Sequence, residues 1–422
     1  MACFMNVIVV SVAFGSFLQH TAPHGQNNAV VQGVDNAEQF ALLCRIYNVA
    51  AHPPINHVDL QDPNNIVGEI DTINTSFAEE KQFNETKESG NGSDSAVKLT
   101  ATREAAVAQA ILHRITQKAH KILEDIRRVN VTGDIEKVKT EFAQVIFGEG
   151  MNESDLCDGA LKDVGDRGNA CGNPGTGERG NSVDKNLVVN FFCLCAMRKD
   201  DGIENVCGVK VGGNSGKSKP DNHGWDTNKP LGTFSMWASV KKGCGNLFHR
   251  HSSSTKEGYE VLDDFLKHLN SGGLYRWGKS NNVEDSGLKA GMLGTSAWKN
   301  GGYGTGPVCN GKKGGSGGPS GVCVYYGQKE WDDNILWLHK FKTALASADD
   351  INNQTVFIQR SLQKLHMLLH RAEEIYETAN VIKEIQKPVV PPNLQSAAKR
   401  LTAYSAARRY HPCHFILLWV LL

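Results

Sequence analysis

The stretch ATREAAVAQAILHRITQKAHKILEDIRRV, residues 101–129, sets Ala101, Ala105, Ala108, Leu112, Ile115, Ala119, Ile122, Ile126 and Val129 at alternating steps of four and three. That spacing predicts a helix with one apolar seam, and its alanines let a partner helix come close. A helix of about 35 residues is roughly 50 Å long at the usual rise. Asn130-Val131-Thr132-Gly133 interrupts the pattern, and helix is predicted to resume through Phe147.

A matching seam lies far along the chain. Ile358, Leu362, Leu365, Leu369, Ala372, Tyr376, Ala379 and Ile382 repeat the alternation apart from the last step, preceded by Leu338, Phe341, Leu345 and Ala348. Pro388 and the Val389-Val390-Pro391-Pro392 run stop this helix and begin a short extended stalk. The expected fold is therefore mainly α: a long antiparallel, coiled-coil-like helical hairpin with the middle of the chain looped out at one end. A shorter helix is expected from Asn36 to Ala51, with Asp35 and Glu38 spaced as a capping box and Phe40, Cys44, Tyr47 and Ala51 on one face. Pro53-Pro54 ends it.

The middle, about 148–330, differs in composition. It is rich in glycine, as in Gly301-Gly302-Tyr303-Gly304 and Gly311-Lys312-Lys313-Gly314-Gly315-Ser316-Gly317-Gly318. Such backbone buries apolar area poorly, so cross-links are expected to substitute for a core. Only Leu187 to Met197 and Gly258 to Leu269 read as regular pieces.

Both ends carry processing signals. Val7 to Leu18 has the length of a signal-peptide core, and Ala13 and Gly15 supply the small residues of a cleavage site, which makes 1–15 the leader. Ser405-Ala406-Ala407, the polar stretch Arg408 to His414 and the apolar Phe415 to Leu422 follow the layout of a glycosylphosphatidylinositol attachment signal, with Ser405 as the modified residue and 406–422 discarded. Eight helical residues would cover only about 12 Å of a roughly 30 Å hydrocarbon layer, so that tail is no anchor by itself. The chain then divides into a surface domain at 16–387 containing the loop lobe, and a stalk at 388–405.

Of eleven cysteines, Cys3 and Cys413 fall in the removed ends. Cys44, Cys157, Cys171, Cys193, Cys195, Cys207, Cys244, Cys309 and Cys323 remain as a disulfide framework with one odd member. Six sequons, at Asn74, Asn84, Asn91, Asn130, Asn152 and Asn353, fit the secretory reading. Asn74, Asn84 and Asn91 fall in a polar segment expected to be a glycan-bearing surface loop. The 45 basic residues balance 45 acidic ones, which gives no whole-chain attraction to nucleic acid.

No catalytic constellation emerges. Gly212 to Ser218 resembles a phosphate-binding loop but has valine at 211 where the leading glycine must stand. Ser316 matches a nucleophile-elbow pattern with no strand before it. His249-Arg250-His251 and Cys193-Leu194-Cys195 lack the second ligand pair of a zinc site. No metal, cofactor or enzymatic activity is expected.

Taken together, the Ala101–Val129 helix, the stretch from Leu156-Cys157-Asp158-Gly159 to Cys207-Gly208, the long helix ending near Gln386 and the signal at Ser405 make the chain resemble a variant surface glycoprotein of African trypanosomes. With only about 20 residues between Gln386 and Ser405, it looks like the short type, as in the Trypanosoma congolense group. The resemblance implies a homodimer on the outer leaflet of the plasma membrane, tethered by lipid, with disulfide-linked loops facing host antibodies. It implies a dense protective coat that serves antigenic variation and immune evasion. The alternative on the same fold is a nutrient receptor for transferrin or a haem carrier.

Overall fold

The computed structural model describes residues 29–385 apart from 57–61, 88–94, 130, 199–201, 215–221, 226–227, 249–253, 279–283, 305 and 316. The chain begins with α1 (Ala37–Ala51), α2 (Pro63–Lys87), α3 (Ser95–Arg127) and α4 (Val131–Phe147). There follow α5 (Arg167–Cys171), β1 (Gly172–Asn173), β2 (Glu178–Arg179), α6 (Leu187–Cys195), β3 (Gly213–Asn214), β4 (Asn222–Trp225) and β5 (Pro230–Leu231). Next come α7 (Thr233–Leu247), α8 (Thr255–Ser271), β6 (Gly273–Gly278), β7 (Glu284–Lys289), β8 (Met292–Trp298) and β9 (Ser320–Tyr325). The short α9 (Trp331–Asn334) precedes α10 (Leu336–Ile385), 50 residues long without a glycine or proline and so roughly 75 Å.

These elements form two compact units. Unit 1 holds the described residues up to Val58 and Asn130–Val356; unit 2 holds Asp59–Val129 and the chain from Phe357 on. Helix α10 contributes its first part to unit 1 and the rest to unit 2.

Unit 2 is a helical bundle. Ala108, Leu112, Ile115, Ala119 and Ile126 of α3 are buried at the expected spacing, as are Ile358, Leu362, Leu365 and Ala372 of α10. Ile122 is only half-buried and Leu123 is buried instead, because α3 faces a second partner that the sequence reading placed in a loop. That partner is α2. Pro63 opens it at the first helical turn, where a missing N–H costs nothing, and the Asp62 carboxylate accepts from Asn64 N at 2.9 Å. Ile66, Val67, Ile70 and Phe77 are its buried face. Helices α2 and α3 run antiparallel, as three cross-links show: Arg127 donates to Asn64 (2.5 Å), His120 meets Asp71 (2.9 Å) and Gln109 donates to Asn74 (2.9 Å). Phe77 also packs edge-on against Tyr376 of α10 at 6.2 Å. The expected polar loop over Asn74–Asn91 is thus corrected: it is helix through Lys87, and Asn91 lies outside the described residues.

Unit 1 has a core of its own, which corrects the expectation that cross-links replace one. Every residue of α6 is buried, and α1, α4, α7 and β9 pack around it. Trp225, Trp237 and Trp337 are fully buried. Phe191 of α6 meets Phe40 (5.7 Å), Tyr47 (6.4 Å) and Trp237 (5.9 Å) edge-on, the geometry aromatic quadrupoles favour. A four-stranded sheet in the order β7-β6-β8-β9 flanks this centre, with β6 and β8 parallel and the other pairs antiparallel. β8 and β9 are almost wholly buried. Glycine serves close packing here: Gly291, at φ 75°, turns β7 into β8 so near Gly327 that a Cβ would sit 1.6 Å from its carbonyl oxygen.

Two helix boundaries also shift. Helix α3 ends before Arg128–Val129, and Thr132 and Gly133 already belong to α4. The capping box before α1 is not formed: Asn36 is the N-cap and makes no side-chain cap bond. Asp35 instead accepts from both Arg276 Nη atoms, at 2.5 and 3.0 Å, and from Gln32 N. A nearly buried guanidinium offers two charged donors in a fork, which outcompetes one backbone N–H.

Candidate functional site

What the cysteines do is decided around α6. Cys171–Cys193 and Cys195–Cys207 pin this helix from two sides, Cys44–Cys244 joins α1 to α7, and Cys309–Cys323 closes the segment before β9 onto β9. Cys193 and Cys195 therefore serve separate bonds, as their one-residue spacing on a helix requires. Cys157 is left as an exposed free thiol, with Sγ 3.1 Å from Thr233 Oγ1.

The same helix is held by polar groups that no motif announced. Arg167 is fully buried and donates to the carbonyls of Ala196 (2.7 Å), Cys193 (2.9 Å) and Phe192 (3.3 Å), with its guanidinium over the Trp225 ring at 5.6 Å. A cation at the negative end of a helix is favoured by its dipole and adds a donor to its last carbonyls, of which Phe192 O also accepts from Ala196 N. Burial, and secondarily the like charge of Arg198, pushes its pKa down to about 9, so the group stays charged at neutral pH. Asn36 donates to Leu194 O (2.9 Å) and Val322 O (2.8 Å), tying the start of α1 to α6 and β9. Asn190 donates to Val183 O and Asn186 O and accepts from Tyr326 Oη at 2.8 Å. The only sequence cue to these was polar residues inside apolar surroundings, as at Asn190.

The sequons scatter. Asn152 is exposed, and its Oδ1 accepts from Ser154 N at 2.8 Å in the turn before a short 3₁₀ segment. Asn353 is exposed on α10. Asn74 lies within α2, half-buried against Gln109, and Asn84 is in the same helix. Asn91, Asn130, the leader 1–15, the stalk 388–405, the attachment residue Ser405, Ser316, His249 and His251 lie outside the described residues.

Of the Gly212–Ser218 stretch, Gly213-Asn214 is strand β3, paired with β4, and 215–218 lie outside the described residues. Among the described residues no three histidine, cysteine or acidic side chains converge as a metal site, and no helix is long and apolar enough to cross a membrane. The structured surface is thus a disulfide-pinned packing unit and a helical bundle.

A search of curated proteins returns no match. The sequence profile of the trypanosomal VSG domain matches residues 20–106 and 84–367, spanning both the bundle helices and the cross-linked unit. With well over half of the chain matched, the protein belongs to the trypanosomal VSG domain family.

Proposed function

We propose that this protein is a glycosylphosphatidylinositol-anchored coat glycoprotein of the trypanosome surface, acting as a barrier and as a replaceable antigen rather than as an enzyme. The observation that carries this reading is the family match across both units. The fold suits the role. A core fixed by α6, four disulfides and buried polar ties leaves outer loop residues free to change at small cost in stability. Ser405 is the proposed lipid-bearing residue. Asn152 and Asn353, both exposed, are the described sequons best placed for glycans, and host antibodies are the external partners.

Self-association as a homodimer is part of the proposal. Val107 and Ile111 on α3 expose 54% and 37% of their surface, apolar area that a second copy would cover.

Phospholipase C treatment of intact cells tests the anchor. Release of the chain as a dominant surface protein, ending at Ser405 by mass, is expected; full retention in the pellet overturns lipid anchoring. Counting copies per cell by quantitative mass spectrometry separates coat from receptor, since only a coat requires the chain to dominate the surface proteome.

A further inference from the structure

In unit 2, α3 and α10 border an open cleft of about 640 Å³, a volume in the range that holds small molecules. Its floor is apolar: Ile122 from α3, and Met367 and Leu368 from α10. Met367 is 65% exposed, a large fraction for an unbranched apolar side chain beside a packed seam.

The rim is cationic. Lys118 and Lys121 stand three residues apart on α3, and Lys364 and Arg371 stand seven apart on one face of α10. All four are exposed, and among the described residues none is paired with a carboxylate. Two carboxylates share the cleft, Asp125 beside Arg128 at 3.4 Å and Glu374 beside His370 at 3.3 Å, which leaves four cations against two acids. Lysine and arginine stems lie along apolar surface while their heads seek an anion, so floor and rim ask for two chemistries in one molecule.

We infer that this cleft binds a small amphipathic anion, with one acidic head for the lysine-arginine rim and a hydrocarbon body, of the fatty-acid class, for the Ile122–Met367–Leu368 floor. A second copy of the chain is a poor occupant. The copy proposed to cover Val107 and Ile111 would bring to this cleft the same four cations with only Asp125 and Glu374 to answer them, a net excess of like charge rather than an anionic head. A neutral hydrocarbon would leave the rim unanswered, and a bare anion would leave the floor wet.

The test is titration of the purified full chain with dansyl-undecanoic acid, followed by its fluorescence. Saturable binding is expected, displaced by dodecanoate but not by dodecanol at equal concentration or by acetate. The double variant Lys118→Glu/Lys364→Glu is expected to weaken binding about tenfold or more. Far-UV circular dichroism checks its fold; should it fail to fold, Lys364→Gln alone serves, with an expected loss of about threefold. Absence of saturable binding, equal displacement by dodecanol, or wild-type affinity in the folded variant each overturns the inference.

Discussion

Unit 1 and unit 2 reach stability by different means. Unit 1 converges on one buried helix, α6, held by disulfides, an aromatic cluster and a charged cap from Arg167. Unit 2 repeats one motif along its length, an apolar seam with polar cross-links between α2 and α3, and among its described residues has no disulfide. A convergent core is sensitive at its centre, where many contacts share one residue. A repeating seam spreads the load, so each position matters about equally.

That contrast can be tested because the two units carry different reporters. Trp225, Trp237, Trp277, Trp298, Trp331 and Trp337 all belong to unit 1, and Trp419 lies in the segment expected to be discarded. Tryptophan fluorescence therefore follows unit 1, whereas far-UV circular dichroism follows the helices of both.

The largest expected effect is from Cys44→Ser/Cys244→Ser. Opening a closure of 200 residues should destabilise unit 1 by about 5 kcal/mol in the chain-entropy view, read as a lower melting temperature in fluorescence. Leu112→Ala comes next, costing about 2–5 kcal/mol from a side chain that is 1% exposed. It should shift the circular dichroism transition and leave the fluorescence transition nearly in place. Equal shifts by both probes would show that the two units melt as one.

Smaller changes probe the centre of unit 1. Tyr326→Phe removes the donor to Asn190 Oδ1 and leaves a buried acceptor unsatisfied, at about 1–3 kcal/mol by denaturant titration. The smallest effect is alkaline. Burial, and then the nearby Glu153, raises the Tyr47 phenol to about 12 from its ordinary 10.0. The folded state therefore holds its proton where the unfolded state has lost it. The stabilising contribution is complete below pH 10 and lost as pH rises toward 12. Melting temperatures measured across that window should fall less steeply in Tyr47→Phe than in wild type.

Much of this was legible in the residues. α3 and α10 declare themselves through seams of steps of three and four, uninterrupted by glycine or proline, α1 and α8 through shorter stretches of helical spacing, and the segment of α6 only as an apolar run without a period. α2 escaped because sequons and charges dominate its surface, although Asp62-Pro63 followed by Ile66, Ile70 and Phe77 is a helix start with a buried stripe. β8 and β9 escaped for another reason. Strands buried on both faces lose the alternation that marks a strand, and glycines in them read as loop.

Local pattern, then, determined by itself the helices α1, α3, α4, α8 and α10, though not α2 or α7, because helix periodicity depends on side chains a few residues apart. Tertiary structure alone decided the disulfide partners, the free Cys157, the role of Arg167 and the existence of a true core around α6. Those depend on which distant groups meet once the chain is folded, and neither the 200 residues between Cys44 and Cys244 nor the apolar run at Leu187 names its neighbours.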